Sequence, residues 1–179
     1  MKREFEYEII DWIRSIVISV IIAIGVQLVV IPTMVSGESM YPTLNDNDFL
    51  IIYKLAYKKD IPSRGDIIVF ESDLIDPITN KYKDLVKRVI ALPGESVKIK
   101  DNKVYINDKL LSEDYCLGIE THGDIDIVVP DRQIFVLGDN RCNSSDSRDI
   151  IIGTIALDDI IGKAMFRMFP FNKIGSLYK

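Results

Sequence analysis

SVKIKDNKVYIND, residues 96–108, decides the fold class. Val97, Ile99, Val104 and Ile106 alternate with polar residues on either side of Asp101-Asn102-Lys103. That is the period-two pattern of a half-buried hairpin around a turn. Outward from this hairpin the same chemistry recurs. DFLIIYKLAY (48–57), DIIVF (66–70), VKRVI (86–90), IDIVV (125–129), QIFVL (133–137) and IIGKAMFRMF (160–169) are short and rich in Ile, Val, Phe and Tyr, with Gly, Pro, Asn and Asp between them. β-branched and aromatic residues bounded by turn formers read as strands. No helical pattern of about 10–15 residues separates them, so the expected domain is mainly β, an antiparallel sheet rather than α/β. No internal repeat or low-complexity stretch is visible.

The N-terminal part has another character. From Ser15 to Gly37 no side chain carries a formal charge, and IVISVIIAIGVQLVVIPTMV fills residues 16–35. About 20 apolar residues rising ~1.5 Å each match a hydrocarbon core roughly 30 Å thick. The expected organisation is a tail over 1–14, a single transmembrane helix over 15–35 and a β-rich domain over 36–179. A cleaved secretory signal is the rival reading, but its apolar region spans only about 7–15 residues and ends in an A-x-A-like site. Only Val35-Ser36-Gly37 comes near that pattern. A buried core helix is a further alternative, against which stands the absence of a polar face. Lys2, Arg3 and Arg14 precede the run, whereas the twenty residues after Val35 contain only Lys54. The positive-inside rule then keeps the tail in the cytoplasm and puts the rest of the chain outside. Near the C-terminus, IIGKAMFRMFPF is too short to span a bilayer, and its Phe166, Phe169 and Phe171 suit either a core or a lipid surface.

Composition narrows the function. At 179 residues, 47% hydrophobic and 27% charged, the chain suits one domain and is too apolar for disorder. A net charge of −5 argues against a nucleic-acid surface, and pairs such as Lys58-Lys59 read as solvated faces. Cys116 and Cys142 form no CxxC, and the single histidine, His122, builds no multi-histidine site. No metal or cofactor is expected. A disulfide between the two cysteines stays open. His122 in ETHGD reads as a surface-turn residue.

Three segments remain to be explained. SGESMYPTL, residues 36–44, follows the apolar run directly. Gly37 permits tight backbone geometry and Pro42 stiffens the exit, so a structural turn suffices on composition alone. A serine nucleophile would need a base. With the one histidine in a surface-turn loop, the base has to be sought elsewhere than in a Ser-His-Asp triad, and a lysine serves where desolvation lowers its pKa. DLVKRVIALPGE, residues 84–95, offers such a setting: alternation puts Lys87 with Leu85, Val89 and Ala91, and Arg88 with Val86, Ile90 and Leu92. One of the two cations must share an apolar face, unless the strand is an edge protected by inward charge. FVLGDNRCNSSDSRD, residues 135–149, reads as a strand followed by a polar loop.

Taken in order, SGESMYPTL, RGDIIVF, VKRVIALPGE and GDNRCNSSDSR resemble the bacterial type I signal peptidases, or leader peptidases, over nearly the whole chain. The resemblance implies a membrane-bound serine endopeptidase that removes signal peptides from secretory preproteins. It implies Ser39 as nucleophile, Lys87 as general base and Ser144 as the serine that hydrogen-bonds that lysine. Met40 falls in the substrate-binding region, Asp146 and Arg148 correspond to a structural charged pair, and Asp139 and Arg141 belong to the same loop. Implied partners are preproteins and membrane lipid, with no nucleic acid. Two positions depart from the pattern. Gly37 stands where some members carry an oxyanion-hole serine, so the second donor would be a backbone N–H beside that of Ser39. Cys142 occupies a place usually held by a polar residue, either as an inert side chain or as an oxidation-sensitive one. A self-cleaving Ser/Lys repressor lacks its DNA-binding half here, while a non-enzymatic membrane-anchored β module, or an inactive relative, would not need Ser39, Lys87 and Ser144 together.

Overall fold

The computed structural model describes residues 2–76, 79–116 and 120–178, with side chains from residue 10 onward. The side chains of Lys2 and Arg3 therefore lie outside the described residues. Helix α1 runs Lys2–Val29, and within it Ile10–Val29 is long and apolar enough to cross a membrane. None of that span is buried in the protein, as expected of a helix that is apolar all round and meets no core of its own.

The helix stops earlier than the uncharged run does. Residues 30–34, expected in the membrane helix, form strand β1 (Val30–Met34), which pairs with β2 (Phe49–Tyr53) from Val30↔Tyr53 to Met34↔Phe49. Val30 and Ile31 are β-branched, and Pro32 cannot donate to a helical ladder. A continuous apolar run conceals such a switch because it has no period to change.

The remaining strands are β3 (Ile67–Ile75), β4 (Tyr82–Ala91), β5 (Ser96–Lys100), β6 (Lys103–Ile106), β7 (Lys109–Leu110), β8 (Ile125–Val128), β9 (Gln133–Leu137), β10 (Ile155–Ala156), β11 (Ile160–Phe169) and β12 (Gly175–Ser176). They build an eight-stranded sheet, ordered β1-β2-β11-β3-β4-β9-β10 with β12 on β11, and a four-stranded sheet ordered β7-β6-β5-β8. Every strand pairing is antiparallel, as the sequence pattern predicts. The opening hairpin forms as β5 and β6, with Val97↔Ile106 and Lys100↔Lys103 in register. Its loop is two residues: Asp101 and Asn102 both take positive φ, 52° and 59°, the signature of a type I′ turn, and Lys103 is already in the strand.

Three apolar clusters hold the sheets. β3 is buried on both faces, which explains why IIVF reads as an unbroken apolar run: Ile67 and Val69 join Val35, Met40, Leu44, Leu50, Ile52 and Ala164, while Ile68 and Phe70 join Val89, Ile134, Val136, Ile152 and Ile155. The third cluster, with Val97, Ile99, Val104, Phe135 and Leu137, seals the small sheet against β4 and β9. The loop after β1 is thereby anchored by Val35, Met40 and Leu44, each at most 6% exposed.

Candidate active site

β4 carries Lys87 and Arg88 side by side, and both are buried. Sequence alternation requires one cation to share an apolar face; the fold buries both and gives each its own partners. The Lys87 Nζ lies 2.7 Å from the Ser39 Oγ and donates to the Val86 carbonyl at 3.1 Å. Burial pushes the Lys87 amine down to about 8, against the opposing pull of Asp146 and Asp139 and with a smaller push in the same direction from Lys83. Arg88 turns to the other side: its guanidinium donates to Asp139 at 2.8 and 2.6 Å and to the Gly65 carbonyl at 2.9 Å, and stacks 4.0 Å from the Tyr115 ring centroid. A fork of donors matched to one carboxylate suits arginine and not lysine.

Ser39 sits in a loop with little freedom. The Val35 N–H donates to the Asp48 carbonyl, the Asn47 N–H to the Val35 carbonyl and the Leu44 N–H to the Met40 carbonyl, all within 2.9 Å. Gly37 takes φ +94°, where a Cβ is strained although nothing lies within 4 Å of it. Its N–H donates to Asp46 Oδ1 at 2.7 Å. That bond ties Gly37 to the 45–48 turn. Met40 is 1% exposed, yet it also lines the cleft beside Ser39.

Residues 138–148 close over this loop. The Asn140 N–H donates to the Ser39 carbonyl at 3.0 Å and its side-chain amide to the Glu38 carbonyl at 3.1 Å. Gly138 permits the approach: a Cβ there would lie 2.2 Å from Ser144 Oγ and 2.4 Å from the Ser39 carbonyl oxygen. Asp146 accepts from the Gly138 N–H at 3.0 Å and pairs with Arg148 at 2.8 Å. Arg148 also donates to the Arg141 carbonyl at 2.8 Å. Asp139 and Arg141 do not pair with each other. Asp139 takes Arg88, and Arg141 takes Glu113, at 2.9 Å through Nη1, together with Thr121. The expected hydrogen bond from Ser144 to Lys87 is absent: Ser144 Oγ is buried without a partner, and the Lys87 Nζ meets Ser39 and the Val86 carbonyl.

Between these parts runs a cleft of about 520 Å³, lined on one side by Thr33 to Met40 and on the other by Lys83 to Lys87, with Asn143 and Ser145 at its end. Each wall includes a strand edge with no strand beside it among the described residues. β1 ends the strand order, and β4 pairs with β9 only over Arg88–Ala91, so among the described residues its Tyr82–Lys87 stretch has β3 on one side and no strand on the other. The two cysteines are free. Cys142 is exposed and Cys116 half-buried, its thiol 3.5 Å from the Asp139 carbonyl. His122 has its ring 3.1 Å from Asn102 at the surface.

The family model described as "Signal peptidase, peptidase S26" matches residues 9–169. The chain belongs to that family. It is therefore a serine peptidase, a hydrolase of peptide bonds. Among its relatives, a signal peptidase I from Bacillus licheniformis is 37% identical over 175 residues, covering 92% of this chain and 90% of that one. The signal peptidase I T of Bacillus subtilis is 39% identical over 176 residues, covering 92% and 88%. A signal peptidase I of known structure from Enterococcus faecalis is 34% identical and covers 57% of this chain and 95% of that one, at TM-score 0.46.

Sequence reading missed the partners that hold the site. Thr43, whose hydroxyl donates to Asp139 and accepts from Arg88 at 3.3 Å, looks like an ordinary turn residue, as do Glu113, Asn140 and Thr121, and only long-range contact reveals them. Asp66 of RGDIIVF likewise has partners that no local pattern shows, accepting from Lys163 at 2.6 Å and from Tyr57 at 2.9 Å.

Proposed function

We propose that this peptidase removes N-terminal signal peptides from secretory preproteins through an acyl-enzyme, with Ser39 as nucleophile and Lys87 as base. The observation that carries the reading is a buried lysine amine 2.7 Å from a serine hydroxyl at the floor of a cleft with two unpaired strand edges. Burial favours the neutral amine, which accepts the hydroxyl proton as Oγ attacks the scissile carbonyl. The Ser39 N–H stabilises the oxyanion. The leaving amine then takes the proton back from Lys87, and the lysine activates water to release the acyl group. Ser144, whose hydroxyl is buried and unpartnered beside Gly138, is the group that steadies Lys87 once its amine turns from Ser39. Asp139, Arg141, Asp146 and Arg148 hold the loop and do no chemistry.

The substrate enters as an extended strand between β1 and the free edge of β4, main chain paired to main chain, with alternate side chains in the cleft. Val35, Met40, Val69 and Leu85 give that cleft an apolar lining, fit for small apolar residues before the cut. α1 places the cleft at the membrane, with the N-terminus in the cytoplasm and the peptidase domain outside. Phe169 and Phe171 are 47% and 78% exposed, and Met34, Phe49 and Met168 are exposed with them; we assign this apolar surface to the lipid headgroup region.

The test is cleavage of a purified preprotein by the detergent-solubilised enzyme, with the new N-terminus sequenced. Cutting after a small residue supports the reading, with loss when the small residues one and three positions before the cut are replaced by bulky ones. Cutting that ignores those residues contradicts it.

A further inference from the structure

We propose that Tyr178 is a positioning residue for the Ser39–Lys87 reaction, tying the closing segment of the chain to the first residue of β3 and so fixing the strands beneath the site. The inference rests on the function proposed above. Tyr178 lies beyond the matched residues 9–169.

β3 is flanked by β4, with Ile67↔Arg88 and Ile68↔Lys87 in register, and by β11, whose register with β3 reaches Lys163↔Ile68 and stops one residue short of Ile67. The outward N–H and C=O of Ile67 thus lose their strand neighbour in a fully buried position, a costly arrangement for backbone polar groups. The Tyr178 hydroxyl replaces that neighbour. It accepts from the Ile67 N–H at 2.8 Å and sits within 3.4 Å of the Ile67 carbonyl, to which it donates. Burial pushes the phenol up to about 12, so it keeps the proton it donates.

The same ring is held from behind. The Lys163 ammonium lies 4.6 Å from the Tyr178 ring centroid and pairs with Asp66 at 2.6 Å, and Asp66 also accepts from the Tyr57 hydroxyl and the Ser63 N–H. On its opposite side the 65–67 segment grips β4. The Gly65 carbonyl accepts from Arg88, the Gly65 N–H donates to the Val89 carbonyl and the Val89 N–H to the Asp66 carbonyl, all at 2.8–2.9 Å. These bonds act on the two residues after Lys87. Leu177 and Tyr178 also pack against the cluster of Val35, Met40 and Leu44 that anchors the Ser39 loop. One side chain therefore braces both halves of the reacting pair. Displacement on the order of 1 Å costs about a hundredfold in rate where groups must meet in a fixed geometry.

The experiment compares full-length wild type with Tyr178→Phe in detergent micelles on a purified preprotein, with rates referred to folded protein. Removing the hydroxyl and keeping the ring is expected to lower kcat about 5- to 50-fold and leave KM within about twofold. Faster hydrogen exchange than in the wild type is expected at the Ile67 amide, whose N–H donates to the Tyr178 hydroxyl at 2.8 Å. An unchanged kcat overturns the proposal, even with a lowered Tm, because a merely structural strap would move stability alone. A change confined to KM overturns it too. Should Tyr178→Phe not fold, Leu177→Ala decides, since it loosens the same segment and keeps the hydroxyl: the kcat-specific loss supports the role and a wild-type kcat overturns it. A wild type that cleaves no preprotein defeats the proposed function instead, whereas a wild type that cuts beside an unimpaired Tyr178→Phe defeats only the role of Tyr178.

Discussion

Arg88 and Asp139 form a two-bond ion pair, at 2.8 and 2.6 Å, between β4 and the 138–148 loop, with side-chain exposures of 8% and 0%. Lys87 is the residue before Arg88, and Asn140, which holds the Ser39 carbonyl, follows Asp139. The pair thus joins the strand that carries the amine to the loop that grips the serine's main chain.

Removing one partner leaves a buried charge without compensation, which costs about 3–5 kcal/mol. Asp139→Ala is expected to lower the unfolding midpoint strongly and to abolish peptidase activity. Arg88→Lys, which keeps the charge and loses the fork, should recover only part of the stability. Thermal unfolding followed by circular dichroism checks both.

The pH dependence follows from the buried amine. Lys87 has its pKa lowered from 10.5 to about 8 by desolvation, and the reaction needs the neutral form. Below about pH 8 the rate should therefore fall about tenfold per unit as the amine takes up a proton, and above it the rate should level off. Lys87→Arg, which cannot deprotonate, should be inactive at every pH. A kcat/KM profile from pH 5 to 10 reads both outcomes.

Two glycines in the site make opposite predictions. At Gly138 a Cβ would overlap Ser144 Oγ and the Ser39 carbonyl, at 2.2 and 2.4 Å, so Gly138→Ala should force the loops apart and eliminate activity. At Gly37 the space is open and only the φ of +94° resists. Gly37→Ala should cost about 1–2 kcal/mol and keep much of the activity. Parallel measurements of kcat and Tm on the two variants separate overlap from strain.

The end of α1 predicts where the chain tolerates truncation. A protein beginning at Val30 keeps the β1–β2 pairing and the contact of Ile31 with the core. It should unfold cooperatively. One beginning at Ser36 loses both, along with Val35, and should be markedly less stable. Denaturant titration of the two in detergent is the check.

How much of this was legible in the sequence depends on the range of the interaction. The β5–β6 hairpin and the β11 segment could be read because alternation and turn residues are local signals. β1 could not, because Val30–Met34 continues an apolar run with no change of period. The Ser39, Lys87 and 138–148 segments were found by resemblance. Which of Lys87 and Arg88 meets the serine was undecidable from alternation, since the fold buries both. The pairings of Arg88 with Asp139 and Arg141 with Glu113 span 51 and 28 residues, and no local pattern announces them. The Ser144 hydrogen bond shows the reverse limit. Motif matching supplied a contact that the side chains do not make: Ser144 Oγ is buried without a partner, and the lysine amine meets Ser39 and the Val86 carbonyl.

The central claim is that Ser39 and Lys87 act together on a signal peptide, and one comparison tests it most directly: cleavage of a purified preprotein by the solubilised wild type, Ser39→Ala and Lys87→Ala under identical conditions at about pH 9. Cutting after a small residue is expected of the wild type and none of either variant, with all three folded. Cleavage by Lys87→Ala would contradict it, because the base would then lie elsewhere, and cleavage by Ser39→Ala would remove the nucleophile from the account altogether.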